Sequence, residues 1–560
     1  MSNARVVGKK WLSWMAVGLV VWAPAAQAEL SKPSPKPVIV VSVAGYQKLI
    51  DDLAILGRWA DRPETAAALE GMISLLTGGK GLAGLDKNRP LAVVLQTDGQ
   101  RFSPYLLVPV TDLEKLLGVL EPLLPQPIAK NNGVYELSFA QGRKLYVQAR
   151  GPDWAVGVET QEALAAVPEQ LPEEARQKLP EAWTIGASVL VKHIAPEQRR
   201  QWAERLRAET LRELTPRPGE SEEDFKVRKW LSEWLVDWAA SALDQVEQLQ
   251  IGLGMDGKAE ALVVEMAVQP AAGSALAEAV QKAGQVQTAF GGVLLPEAAL
   301  SAHAVLRYPA GEFHQVAPLI QMLKVRALQQ RPRLDLSAEQ AQWQRELTTA
   351  LWDLVEKTLK CGRAEGAFSV LLQPDQFTLL AGAYVADGRA LEKLLDRAVA
   401  EARKQRPAEV DRYVKLRAHE VQGVHLHLVR FPVPAEALRR EALIQLFGPE
   451  VELVVGTGPE SLYVGLGKAA EATLRKAIEK DAQGPQQVPP AQIRLAVKPF
   501  LAVLAEHGDP NQQQKAQQLL EKMSNKDRLR LAIENNQGRL LFRVEAQRDV
   551  LAVLAQAAQQ

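Results

Sequence analysis

One stretch of this 560-residue chain gathers side chains suited to metal chemistry: His419-Glu420, followed by His425-Leu426-His427. Residues i and i+2 of a strand share a face, so His425 and His427 would point together. Two imidazoles joined by a carboxylate or a third histidine make a divalent-metal site. A half-exposed strand also carries polar residues at alternate positions, and no second ligand cluster lies nearby in sequence. The pair therefore reads first as a solvated strand face. A divalent-metal-binding or metal-dependent hydrolytic centre on His425 and His427 is the alternative. His193, His303, His314 and His507 stand alone and read as surface or satisfied polar groups.

A second string, Gly79-Lys-Gly81-Leu-Ala-Gly84, fits GxGxxG, whose glycines let backbone approach a phosphate. The dinucleotide fold needs a strand before this motif and a helix after it. Here the helix-like residues 66–76 precede it and the loop-like residues 85–90 follow, so a flexible connection is expected. Cys361 is the only cysteine, which excludes an intrachain disulfide, a zinc ribbon and CxxC redox chemistry. With no catalytic signature around it, it reads as a buried apolar thiol. The sequence contains no GxSxG, SxxK, HExxH or Walker string, so no catalytic, cofactor-binding or metal residue is assigned and no cofactor is implied. Lys+Arg and Asp+Glu are equal at 66 each, giving no basic excess for a nucleic-acid partner.

The elements that would position these residues follow a basic, apolar leader. Arg5, Lys9 and Lys10 precede an apolar run at 11–22, Pro24 breaks it, and Ala26-Gln27-Ala28 supplies a small-x-small cleavage signal. The run is shorter than the roughly 20 residues needed to span a bilayer. Residues 1–28 therefore read as a signal peptide cleaved after Ala28, and 29–36 as a Pro/Ser/Lys-bearing linker. A periplasmic or secreted protein without a transmembrane anchor is expected. Removing three basic residues and no acidic ones leaves 63 against 66, a mature formal charge of −3. No cysteine lies near the cleavage point for lipid attachment.

Downstream, a hairpin leading into a helix recurs four times. The first copy runs 91–97, turns at Asp98-Gly99, returns at 104–110 and enters a helix through a Thr111/Glu114 capping box. The others lie at 249–268 with a helix from about Ser274, at 366–385 with a helix from Asp387, and at 529–544 with a helix from about Gln547. Strand–helix openings at 38–56 and 303–323, and strand–helix pairs at 185–212 and 493–507, fall in the same order in both halves. An internal duplication is expected, with α+β modules at 37–290 and 291–558 and a boundary in Phe290-Gly291-Gly292. Each module would pack helices on a mixed or antiparallel sheet. Helical insertions at 199–214, 221–240 and from Ser337 to about 360 carry Trp230, Trp234, Trp238, Trp343 and Trp352, whose spacing predicts buried stripes.

The leader, together with "VIVVSVAGYQKLIDDLAILGRWA", "GLDKNRPLAVVLQTDG" and "LLVPVTDLEKLL", resembles large uncharacterised exported proteins of bacteria over residues 37–170. The resemblance implies an exported α+β protein and carries over no functional residues. The expected role is a non-enzymatic binding or scaffold-like protein of the cell envelope, its partner an unidentified envelope protein or ligand. Carriage of an apolar ligand between the modules is a further alternative.

Overall fold

Alternation of apolar residues with period two, broken by Gly- and Asp-bearing turns, produces twenty strands that join one sheet among the described residues. The computed structural model describes residues 35–212, 214–284, 286–308, 313–329, 338–435 and 440–558. The leader, its cleavage point, most of the linker and Ser337 lie outside them.

The strands of the first half are β1 (Lys36–Val43), β2 (Leu91–Thr97), β3 (Phe102–Pro109), β4 (Ala129–Asn131) and β5 (Val134–Ser138). They continue with β6 (Lys144–Arg150), β7 (Trp154–Val158), β8 (Ile185–Val189), β9 (Val246–Asp256) and β10 (Ala261–Pro270). The second half contributes β11 (Leu300–Arg307), β12 (Arg363–Gln373), β13 (Gln376–Tyr384), β14 (Val414–Val421) and β15 (Val424–Pro432). It ends with β16 (Glu450–Thr457), β17 (Ser461–Gly467), β18 (Ala491–Ala496), β19 (Arg528–Asn536) and β20 (Arg539–Gln547). All pairings in the sheet are antiparallel, so the fold is α+β as expected.

The two halves meet where β10 pairs with β20, with Val264 opposite Val544. Outward from β10 the order is β9, β8, β1, β2, β3, β7, β6, β5, β4. Outward from β20 it is β19, β18, β11, β12, β13, β17, β16, β15, β14. Adding ten to every label of the first order gives the second.

Helices and short turns pack against the sheet in each half. In the first, Val40, Val94, Leu107 and Val156 pack beneath Leu164, Leu171 and Leu179, while Leu116 and Leu117 cover Leu137 and Val147 on the other face. In the second, Leu380, Leu426 and Val454 pack beneath Leu474 and Ile478 of the helix Ala470–Asp481. Phe290, expected at a boundary, is 2% exposed and meets the Tyr463 ring edge-on at 5.4 Å within that core. The segment behaves as a plug of the second half because Gly292 has no Cβ. One placed there would fall 2.2 Å from the Ala477 carbonyl oxygen.

Several local expectations are corrected. The helix Leu113–Leu120 is capped by Asp112, whose extended backbone lets its carboxylate accept from the Lys115 amide. Glu114 does not complete the Thr111 box, because it turns to Lys130 Nζ (2.6 Å) and the Tyr135 hydroxyl (2.8 Å). Cys361 is exposed, since it sits in the turn beyond the helix Ala338–Lys360. The tryptophan stripes are not core: Trp234 is 39% exposed and stacks on Trp230, while Trp230, Trp343 and Trp352 are half-buried on long projecting helices. Trp238's side chain lies outside the described set.

In the glycine string a Cβ built at Gly79 or Gly81 would meet nothing within 4 Å, whereas Gly84 packs closely. Gly84 (φ +88°) has the Asp112 carbonyl oxygen 2.3 Å from where a Cβ would stand, and its own carbonyl accepts from the Thr111 and Asp112 amides. The following helix start thereby docks on the loop. Gly252 of β9 similarly makes room for the Trp183 ring, which lies 2.1 Å from the place of a Cβ. Replacing Gly252 by Ala should cost about 1–3 kcal/mol by overpacking, read as a lower chemical-denaturation midpoint. An unchanged midpoint would show that Trp183 can move aside freely.

Candidate functional site

The histidine pair sits on β15, beside an irregular stretch of β14. Between Lys415 and His419 the β14–β15 register shifts, and Arg417 there has φ +50°, an uncommon conformation for a non-glycine residue. The bulge aims the Arg417 guanidinium at Glu392 (2.6 Å) and at Asp396. Glu392, on the helix Gly388–Gln405, also accepts from Arg389 (2.9 Å) and contacts His425 Nδ1 at 2.9 Å. Its side chain is only 8% exposed. Burial opposes its charge, but the hydrogen bonds from His425, Arg389 and Arg417 outweigh that and hold the carboxyl at about 2.

This geometry disperses the expected ligands. His427 is not on a solvated face: it is 3% exposed, Nε2 lies 3.0 Å from the Thr457 hydroxyl, and burial lowers its pKa. His419 pairs with Glu471 at 3.1 Å. The Glu392 carboxylate is engaged by two guanidinium groups, which repel a cation. No group of three or more His, Cys, Asp or Glu among the described residues is arranged to hold a metal. His193, His303 and His507 are satisfied polar groups, each within 3.0 Å of a prolyl carbonyl: Pro37, Pro489 and Pro374. His314's side chain lies outside the described set.

Two other carboxylates act as fasteners, Glu365 buried and Asp481 half-buried. Glu365 accepts from Thr288 Oγ1 (3.0 Å) and the Ala289 amide (2.6 Å), and pairs with Arg307 and Arg363. Asp481 accepts from the Gly292 amide (2.5 Å) and the Tyr463 hydroxyl (3.1 Å), and burial pushes it up to about 6. Together they pin both ends of the segment containing Phe290.

The central strands present the more distinctive feature. One row of directly paired residues runs Leu91, Val43, Ile185, Leu253, Val264, Val544, Leu531, Ile493, Ala302, Phe368 across ten strands. The next row runs Val93, Val41, Ala187, Ile251, Met266, Phe542, Ile533, Ala491, Ala304. Neither row contains a polar side chain. Ile185 (40%), Val264 (39%), Val544 (38%), Leu531 (37%) and Ile493 (45%) remain open to solvent. The opposite face of the same strands holds the charges, with Glu265 opposite Arg543 and Arg530 bonded to Glu534. A cavity of about 530 Å³ on that side is lined by Trp183, Gln248, Gln250, Glu265, Asn536 and Arg539, among others. Burial raises the Glu265 pKa against the nearby Arg543.

Sequence reasoning found the histidines but missed Glu392, Arg417 and the apolar face. The face was signalled by central strands apolar at the positions left uncovered as well as at some that are packed. No family model matches the chain, and no curated protein and no solved structure matches it.

Two pH responses follow. Glu392's folded pKa lies below its ordinary 4.5, so its contribution is present above that value and lost as pH falls toward about 2. Glu392→Gln should destabilise the protein by about 2 kcal/mol at pH 7, and the gap to wild type should close on acidification in denaturant melts. A gap independent of pH would contradict this. Asp481 is the opposite case: its folded value exceeds its ordinary 3.8, so the benefit of its neutral form is full below that and lost as pH rises through about 6. Wild type should therefore gain stability relative to Asp481→Asn between pH 7 and pH 4. Parallel curves would show that Asp481 titrates normally.

Proposed function

We propose that this is an exported, non-enzymatic binding or scaffold-like protein of the bacterial cell envelope, built by duplication of one α+β unit and binding through the apolar face of its central sheet. The open apolar rows crossing the joint between the halves carry this reading. Contiguous exposed apolar surface beyond a few hundred Å² marks interaction sites in soluble proteins. The leader at 1–28 supports export, and the repeated strand order supports two units divided near residue 290. Among the described residues no helix is long and apolar enough to cross a membrane. The histidine alternative has less support, because Arg389, Arg417 and Thr457 occupy the groups a metal would need.

Export and binding are tested together in the native host. The protein should be recovered from the envelope fraction with Glu29 at its amino terminus, and a photo-crosslinking amino acid at Val264 should form a discrete adduct. The same probe at Gln250 on the other face should not form that adduct. A cytoplasmic protein starting at Met1 would refute export, and absence of an adduct at Val264 would refute binding through the face.

A further inference from the structure

We propose that the occupant of the apolar face is a second copy of this chain, the two sheets packing face to face in a symmetric dimer. The inference rests on the reading of that face as a binding surface and names its partner.

Area supports it. The nineteen residues of the two rows, at about 4.8 Å between strands and about 6.6 Å between rows, cover on the order of 600 Å², the low end of what one partner of a stable interface contributes. One partner of a standard interface contributes roughly 800 Å². Composition supports it too. Interfaces between separately stable proteins carry about one hydrogen bond per 100–200 Å², and the two central rows offer no side-chain donor or acceptor. A face of that kind resembles a core cut in half, the character of obligate homodimers.

Shape argues in the same direction. A small apolar ligand is held by burying about 70–90% of its surface in a cleft, whereas these rows lie open. Sheets instead stack about 10 Å apart with interdigitating side chains, turned by about 30°. A helix reaches this face at its flank, where Trp202 of Pro196–Arg212 stacks on Phe102 at 5.8 Å. The Val264–Val544 pair lies at the middle of the rows. A two-fold axis through it would set each row of one copy across a row of the other, as isologous contacts require.

The experiment is sedimentation velocity on the purified exported protein from submicromolar to about 50 µM, a range bracketing ordinary dimer affinities. Wild type should sediment as a dimer. The double substitution Val264→Glu and Val544→Glu, burying unpaired carboxylates at the centre, should weaken the dimer roughly a hundredfold or more. Ile493→Lys, at a more open position, gives a second disruption should the double variant fail to fold, as judged by circular dichroism. Gln250→Glu on the opposite face should leave the dimer intact. A monomeric wild type, or a dimer indifferent to folded Ile493→Lys, overturns the proposal. A monomer that still forms the Val264 adduct leaves the binding reading standing with another partner, while a monomer without an adduct removes both.

Discussion

The backbone ladder between β10 and β20 is the contact on which the architecture depends. It joins strands nearly three hundred positions apart into a single sheet, with residues 261–268 opposite 540–547. Strand register has a period of two, so this pairing fixes which side chains of every neighbouring strand share a face. Slipping it by one residue would set Val264 beside Glu545 or Arg543 and mix the apolar rows with the charged ones. The clean separation of the two faces is therefore a property of the joint rather than of either half.

Buried and half-buried carboxylates provide the second level of order. Glu365 and Asp481 hold the ends of the segment that inserts Phe290 into the second core, and Glu392 ties a helix to the bulge at Arg417. At Glu392 and Asp481 burial disfavours charge; the donors around Glu392 outweigh that loss, while those around Asp481 do not. Glu392 and Asp481 respond to pH in opposite directions. Acid weakens the Glu392 tie while relieving the desolvation strain at Asp481.

Local grammar was legible in the sequence where one short segment decides the outcome. The hairpin at Asp98-Gly99 and the helix starts at Ser274 and Asp387 follow from turn and capping chemistry within a few residues. The Thr111 cap was misplaced because a neighbouring aspartate competes for the same amides, and Glu114 finds Lys130 sixteen residues away. The His425–His427 pair was legible as a shared face but not as an occupied one. Arg389, Arg417 and Thr457 come from other elements, and only tertiary packing brings them there. The open face was hidden for a related reason: apolar alternation reveals that a side is oily, while covering it depends on helices far along the chain.

The bulge that turns Arg417 toward Glu392 has another consequence. β14 lies at one end of the sheet and β4 at the other, each with a single strand partner among the described residues. β4 is three residues long and exposed throughout, too short to template an incoming strand. β14 is kinked by the αL residue and lined with Lys415, Arg417 and His419, which discourages edge-to-edge joining. A protein with so much exposed apolar sheet is thus guarded against lateral growth.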